Sequence, residues 1–347
     1  MTDSPEQSGA AAPPTPIEAL ERIAFLLERE QASTYRVQAF RTAAGALRGR
    51  TELPRTTAGL AALPGLGPVT AAVVAEARDG RVPDYLAELE QRAAAPLAEL
   101  DPAGRALRAA LRGDCHLHSD WSDGGSPIEL MARTARAIGH EWAVLTDHSP
   151  RLTVARGLSA ERLREQLGVV AALNRELAPF RLLTGIECDI LEDGSLDQEE
   201  ELLAELDVVV ASVHSKLRMP AGPMTRRLLA AVRNPLVDVL GHCTGRRLGE
   251  KPRLESAFDA AAVFAACAEH GTAVEINSRL DRQDPPVPLV REAVAAGCLF
   301  ALDTDAHAPG QLTWQDYGCA RAAEAGVPVE RVVTTWEVER LLAWTAG

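Results

Sequence analysis

Six of the eight histidines in this 347-residue chain, His116, His118, His148, His214, His242 and His307, fall at or near the ends of short apolar runs. His116 and His118 are two apart, so on a strand both imidazoles leave from one face and can hold one cation together. Asp305 and His307 repeat that spacing in the last run. Glu187 lies in the third run and has two oxygens, enough to bridge two metals, while Asp123 follows the first run. A lone histidine at a strand end is more often a hydrogen-bonded core residue than a ligand. Six of them accompanied by three carboxylates favour a metal centre, and the mixture of imidazole and carboxylate suits zinc, manganese or iron better than calcium. His140 and His270 each adjoin a glycine at an expected helix C-terminus, where the dipole favours a cation, and they stay outside the set.

The elements that must position these groups follow from the apolar pattern. The runs 114–118, 142–148, 182–190, 208–215, 237–243, 273–277 and 299–307 alternate with Ala/Leu/Glu/Arg-rich helical stretches. Strands alternating with helices predict a parallel sheet, and seven repeats suit a closed βα barrel whose strand C-termini share one rim. An open doubly wound sheet is the alternative. Upstream, Ile17, Leu20, Ile23, Ala24 and Leu27 recur at helical spacing, and a second helix is expected over 35–48. Gly65 and Gly67 then open a further helix, where backbone N–H groups can face an anion such as a phosphate. A short helix–helix turn with no ligand has the same look. The expected organisation is a disordered Ala/Pro-rich tail over 1–16, a small all-α domain with a helix–hairpin–helix over 17–95, a linker over 96–113 and the α/β domain over 114–347.

The stretch from Asp114 through His118 to Asp123 and Gly124 resembles the first motif of the PHP (polymerase and histidinol phosphatase) superfamily. Thr146-Asp147-His148-Ser149, Gly185-Ile186-Glu187, Ser212-Val213-His214-Ser215, Gly241-His242 and Asp303-Thr304-Asp305-Ala306-His307 resemble its later motifs, in order. The resemblance implies a distorted (β/α)7 barrel holding three divalent metal ions and hydrolysing phosphate esters. By position, it implies a first metal on His116, His118, Glu187 and Asp305. A second falls on Glu187, His214 and His242, and a third on Asp123, His148 and His307. Clustered divalent cations suit such hydrolysis because they make a nucleophile at neutral pH and relieve charge on the phosphoryl oxygens.

Other residues are given roles beside these ligands. Arg246, and with less support Arg156, Lys216 and Arg282, lie just past strand ends and are candidates to grip phosphoryl oxygens. Asp147 is expected to orient a metal-bound imidazole, and Asn277 to donate to substrate. Within the superfamily the PHP and N-terminal helical parts of bacterial and archaeal family X DNA polymerases are similar, in Gly241–Arg246, Glu275-Ile276-Asn277, Tyr35–Arg41 and Leu63–Gly67. Their polymerase palm has no counterpart here, because only a short linker separates the two parts. Lyase chemistry through a Schiff base is excluded in its usual form, since no lysine precedes Lys216.

The formal net charge of −13 argues against a broad basic surface for nucleic acid, and residues 17–100 hold ten arginines against eleven acids. The helix–hairpin–helix and the family X likeness favour a nucleic-acid 3′ end as substrate, with DNA contact through Gly65 and Gly67, whereas the net charge favours a phosphorylated small molecule. Activity as a 3′–5′ exonuclease or 3′-end phosphatase stands beside a histidinol-phosphatase-like activity and a non-catalytic DNA-associated scaffold. Amidohydrolase chemistry lacks the lysine it normally places between metals. Six scattered cysteines without a secretory leader point to reduced thiols and a cytoplasmic protein. Cys115, Cys188 and Cys243 adjoin ligands but point to the opposite strand face, into the core. No run of apolar residues is long enough to span a membrane.

Overall fold

In the computed structural model the described residues are 12–249 and 251–347. Most of the segment read as a tail therefore lies outside the described residues. The chain divides into two compact units, Met1–Pro96 and Leu97–Gly347.

The first unit is helical: α1 (Pro16–Arg29), α2 (Thr34–Leu47), α3 (Thr57–Ala61), α4 (Pro68–Arg78) and α5 (Asp84–Ala93). α1 begins at a reciprocal cap, in which the Thr15 N–H donates to Glu18 Oε2 (2.8 Å) and the Glu18 N–H to Thr15 Oγ1 (3.3 Å). Its stripe of Leu20, Ile23, Ala24 and Leu27 is buried against Val37 and Phe40 of α2 and Val74 of α4. Each leucine or isoleucine so removed from water contributes about 1.5–3 kcal/mol. α3 and α4 form the expected helix–hairpin–helix. Gly65 turns with φ +90°, a conformation that favours glycine, and a Cβ there would sit tightly, 3.1 Å from the Ala46 Cβ. Gly67 caps α4, and its N–H donates to Thr70 Oγ1 at 2.9 Å.

In the second unit α6 (Pro102–Ala110) precedes α7 (Ile128–Ala137), β1 (Trp142–Leu145), α8 (Ala160–Leu177), β2 (Arg181–Asp189), α9 (Glu200–Leu203) and β3 (Val208–Ser212). Then follow α10 (Ala221–Val232), β4 (Val239–Leu240), α11 (Ala260–His270), β5 (Ala273–Asn277), α12 (Val287–Ala296), β6 (Phe300–Asp303), α13 (Gln315–Ala325) and α14 (Val338–Thr345). The strands lie in sequence order and all pairs are parallel. α6, which falls in the segment read as a linker, packs against α13 of this unit.

Six strands, not seven, keep a regular ladder. The run 114–118 instead sits between β1 and β6 as an irregular joint: Leu117 bridges Leu145 on one side and Ala306 on the other. Its backbone N–H groups go largely to side chains. Cys115 donates to Asp303 Oδ1 (2.8 Å), His116 to Asp114 Oδ1 (3.0 Å) and Leu117 to Thr146 Oγ1 (3.0 Å). Buried carboxylates and a hydroxyl thus replace ladder partners, and the strand pattern is lost while the curl of the sheet is kept.

One apolar cluster gathers Cys115, Val144, Leu183, Val210, Val239, Ala273 and Ala301, a residue from every strand and from the joint, and Trp336 and Leu341 pack against it. This is the floor beneath the histidines. All six cysteines are buried and free, and burial pushes the thiols of Cys115, Cys188 and Cys243 up. Among the described residues, no helix is long and apolar enough to cross a membrane.

Candidate metal centre

The C-terminal ends of the strands deliver the polar groups to one rim. Glu187 comes from β2 itself, while His148, His214 and His242 follow β1, β3 and β4, and Asp305 and His307 follow β6. His116 and His118 come from the joint. Asp123 is carried by the loop beyond it, which is pinned where Gly124 N–H donates to Ser119 O (2.9 Å) and Gly125 N–H to His307 O (2.6 Å). A Cβ on Gly124 would meet the Ser119 carbonyl at 2.6 Å, so this loop closes only around glycine.

Glu187 is the hub. Its Oε2 lies 3.3 Å from His116 Nε2, 3.5 Å from His118 Nε2 and 2.9 Å from His148 Nδ1. Its Oε1 lies 3.1 Å from His214 Nε2 and 2.7 Å from His242 Nε2. Asp305 Oδ1 is 3.4 Å from His118 Nε2. On the outer side Asp123 Oδ1 is 3.4 Å from the Nε2 of both His148 and His307. Three groups of donor atoms close enough to share an ion follow: His118, Asp123, His148 and His307; His116, His118 and Glu187; and His148, Glu187 and His214.

These spacings fit divalent cations. Two ligand atoms each about 2.1 Å from one ion stand about 3.0 Å apart at a right angle and about 3.4 Å apart at the tetrahedral angle. The gap between His116 Nε2 and His118 Nε2 is 3.1 Å, and most carboxylate–imidazole gaps above lie in that window. His214 Nε2 and His148 Nδ1, which face Glu187, are buried without a hydrogen-bond partner. Buried nitrogens so placed are costly unless they are ligands. No cysteine enters the three groups.

The electrostatics carry the same demand. Burial pushes Glu187 up, but His214, His148, His116 and His242 outweigh it and hold the carboxyl well below its usual range. Asp305 is likewise held well below by Arg279, His116 and Arg282 against its burial. Burial lowers His116, yet Glu187, Glu275 and Asp305 overcome that and raise it well above an ordinary imidazole. His118 is pushed well below by burial and by His307 and His148 beside it. His214 is raised to about 9 by Glu187 and Asp189 in spite of burial. A cluster with these opposed demands holds protons only where it lacks cations.

Partners that the sequence reading missed hold the imidazoles. His116 Nδ1 meets Glu275 Oε1 at 2.6 Å, which fixes the ring so that Nε2 faces the centre. Glu275 Oε2 also accepts the His242 N–H (2.5 Å) and the Asn277 amide (3.2 Å). Asp189 Oδ1 accepts the His214 N–H at 3.0 Å and lies 3.5 Å from its Nδ1. Arg279, also missed, places Nη1 3.2 Å from His307 Nδ1 and 3.6 Å from Asp305 Oδ1.

Several assigned roles move. Asp147 orients no imidazole: its carboxylate accepts from Ser119 N–H (2.8 Å), Ser119 Oγ (2.5 Å), Ser122 Oγ (2.5 Å) and Gln166 Nε2 (2.7 Å), and so ties down the loop carrying Asp123. Arg246 does not face the centre, because its guanidinium donates to the carbonyls of Arg282 (2.9 Å) and Gln283. Arg282 does face it, with Nε 3.1 Å from Asp305 Oδ2. Arg156 is exposed, and Lys216 is exposed and 3.8 Å from Glu192. Asn277 donates to Asp305 Oδ2 (3.0 Å), so its amide already serves a ligand. His140 is buried and is no helix-end cation: burial and then Arg108 lower it to about 4.

Residues 114–279 match the family described as PHP domain, and residues 12–79 match the one described as Helix-hairpin-helix domain. Over 197 residues the chain is 40% identical to DNA polymerase/3'-5' exonuclease PolX of Bacillus subtilis (strain 168), an alignment that takes in 57% of this chain but 34% of that protein. It is 28% identical over 233 residues to a probable phosphatase of Thermoanaerobacter sp. (strain X514), covering 64% of this chain and 89% of that one. A histidinol phosphate phosphatase from Lactococcus lactis, solved with zinc, L-histidinol and phosphate, superposes at a TM-score of 0.45 with 21% identity, covering 62% of this chain and 94% of that chain.

Proposed function

From a PHP domain set behind a helix-hairpin-helix domain, we propose that this chain is a metal-dependent hydrolase of phosphate esters. The observation that carries the reading is the position of Glu187, whose two oxygens face two different sets of imidazoles. We assign three divalent ions, of zinc, manganese or iron. His116, His118, Glu187 and Asp305 would hold the first; Glu187, His214 and His242 the second; Asp123, His148 and His307 the third. When bound, such ions lower the pKa of water and neutralise the charge that develops on the phosphoryl group.

The chain's own groups do the rest. Glu275 keeps the His116 proton on Nδ1, so that Nε2 presents a lone pair, and Asp189 accepts the His214 backbone N–H and so fixes where that imidazole starts. Arg279 and Arg282 flank Asp305 and keep it ionised, which suits it to hold a cation. The same two guanidiniums lie at the rim, where they can hold non-bridging oxygens by charge-assisted hydrogen bonds. They take the role first given to Arg246. Asp147 holds the Asp123 loop shut through Ser119 and Ser122.

For the substrate we favour a nucleic-acid 3′ end, processed as a 3′–5′ exonuclease or 3′-end phosphatase. The helix–hairpin–helix turn at Gly65 and Gly67 supports this, as does the 40% identity to a protein named as an exonuclease. The second reading, a small phosphomonoester, is supported by the probable phosphatase of which 89% is covered. Six buried free thiols support work in a reducing compartment, the cytoplasm.

The test is hydrolysis of p-nitrophenyl phosphate and of a 3′-labelled single-stranded oligonucleotide by protein loaded with Mn²⁺ or Zn²⁺. Metal-dependent product that vanishes in His116→Ala/His118→Ala upholds the reading, and the faster substrate separates the two classes. Metal-replete protein that hydrolyses neither overturns it and leaves the scaffold.

A further inference from the structure

Resting on the phosphoesterase reading, we infer that the loop after β4 and the turn after β5 form a subsite for a second phosphate of the substrate, with an apolar ledge for the nucleoside that carries it. The residues 245–255 and 279–284 hold six cations against four carboxylates, in a chain whose net charge is −13. The cations run outward from the metal centre. Arg279, beside His307, bonds Asp281 Oδ1 through Nε (3.0 Å), and Arg247 Nη2 meets Asp281 Oδ2 (2.9 Å). Arg282, beside Asp305, adjoins Arg253. Burial lowers the Arg253 guanidinium, and Arg282 and Arg247 lower it further. Among the described residues Arg253 forms no ion pair; its Nε donates to Gly245 O at 2.5 Å, which leaves its terminal nitrogens as donors for an anion.

The described residues of the loop are tied down by hydrogen bonds. Arg247 exchanges both backbone hydrogen bonds with Arg253 (2.9 Å each), Leu248 N–H donates to Asp281 O (2.7 Å), and Arg246 anchors the base of the loop on the 282–283 carbonyls. Between these residues lies a groove of about 470 Å³ whose wall includes Leu248, Pro252 and Leu254. Leu254 is 91% exposed and Leu248 39%, which is unusual for leucines set among arginines. Two guanidiniums beside an apolar ledge match a phosphate joined to a nucleoside: the cations take the charge and the leucines take the flat face of the base. A phosphomonoester with one phosphate uses only Arg279 and Arg282. A substrate with a second phosphate also engages Arg247 and Arg253.

The experiment compares wild type with Arg247→Gln/Arg253→Gln, both full length and metal-loaded. Binding of a fluorescein-labelled trithymidylate, of thymidine 3′,5′-bisphosphate and of inorganic phosphate is measured by anisotropy and calorimetry. Hydrolysis of p-nitrophenyl phosphate is measured in parallel. The double variant is expected to bind at least one of the two nucleotides about tenfold more weakly, with a shallower salt dependence for the trinucleotide. Inorganic phosphate and p-nitrophenyl phosphate should change less than twofold. Loss on the trinucleotide identifies a strand as the source of the second phosphate; loss on the bisphosphate alone identifies a small nucleotide. Equal loss on all ligands, or loss on none, overturns the subsite. Arg247→Gln alone, at a side chain half exposed, carries the same comparison if the double variant melts lower. The two readings fail separately: binding losses without hydrolysis by the wild type leave the subsite and remove the esterase, and hydrolysis without selective loss does the reverse.

Discussion

Glu275 illustrates how a cluster of donor side chains depends on a residue set behind it. It is fully buried in the middle of β5, and its two oxygens take His116 Nδ1 and the His242 N–H. Replacing it by alanine leaves His116 free to turn and to change tautomer, and outer partners of this kind contribute about 10–100-fold in affinity or activity. Glu275→Ala is expected to bind Zn²⁺ or Mn²⁺ that much more weakly in competition with a chelator dye, with kcat falling alongside. Unchanged affinity would show that His116 needs no carboxylate behind it. Glu275 also marks the limit of what the sequence discloses at this scale. The types and spacing of the nine donors are visible along the chain, because strand ends carry them. Their partners are not, since Glu275 lies 159 residues from His116. Chain adjacency misled for Asp147: neighbours at a strand end point apart, so the residue before His148 serves the Ser119–Ser122 loop instead. Likewise Arg246 and Arg279 both follow strands, and only the folded turn decides which guanidinium reaches Asp305. His140 gives a second test, on stability. Its folded pKa of about 4 lies below the usual 6.5. The unfolded chain therefore takes up a proton that the folded one refuses, and stability falls as pH drops from 6.5 towards 4, by about 2 kcal/mol at pH 5. Urea unfolding of His140→Asn should lose less stability between pH 7 and pH 5 than the wild type by that amount; parallel losses would refute it.

At the scale of elements, the joint at 114–118 decides how the sheet meets itself. The apolar alternation around Cys115 and Leu117 reads as a strand, and the other six runs do form strands. What the pattern leaves out is that Asp114, Asp303 and Thr146 are buried within bonding reach of this backbone. Asp114 alone accepts from His116 N–H (3.0 Å), Thr304 N–H (3.2 Å) and Thr304 Oγ1 (2.5 Å), so one carboxylate links the joint to the end of β6. Hydrophobic periodicity reports the face of a segment but not which buried side chains compete with its ladder. Removing that acceptor strands three donors in a dry interior, at about 1–3 kcal/mol each. Asp114→Ala is expected to lower the melting temperature and to speed exchange of the His118 amide, which bonds the Ala306 carbonyl at 2.8 Å. Fast exchange at His118 with slow exchange in β3 would locate the opening at the joint. Uniform loss across all strands would mean the joint has no separate role. The helices were more legible, because a capping pair such as Thr15 and Glu18 and a stripe such as Leu20 to Leu27 are local signals.

For the whole molecule, the net charge of −13 and the buried donor cluster bear on one property, the dependence of the fold on bound cations. The nine side chains proposed to hold ions gather above a single apolar floor, and among the described residues Glu187, at 1% exposure, pairs with histidines and with no lysine or arginine. Without divalent ions the site must recruit protons onto histidines, which succeeds only where carboxylates surround the ring, as at His116 and His214. His118 and His242, both lowered by burial, stay neutral and keep an orphaned nitrogen. Any ion that binds the folded state alone stabilises it, by about 2.7 kcal/mol at a hundredfold excess over its dissociation constant. For a unit of this size each kcal/mol moves the melting temperature by roughly 2–4 °C. Stripping the protein with a chelator should thus lower its melting temperature by several degrees per ion, and restoring Mn²⁺ or Zn²⁺ should recover it in a concentration-dependent way. The loss should deepen as pH rises through about 9, where His214 gives up the proton that substitutes for a cation. His116→Ala/His118→Ala should respond less to the chelator than the wild type, since part of the cluster that needs the ions is gone. A melting temperature indifferent to chelation in the wild type would mean that the cluster is stable without cations and would remove the metal assignment with it.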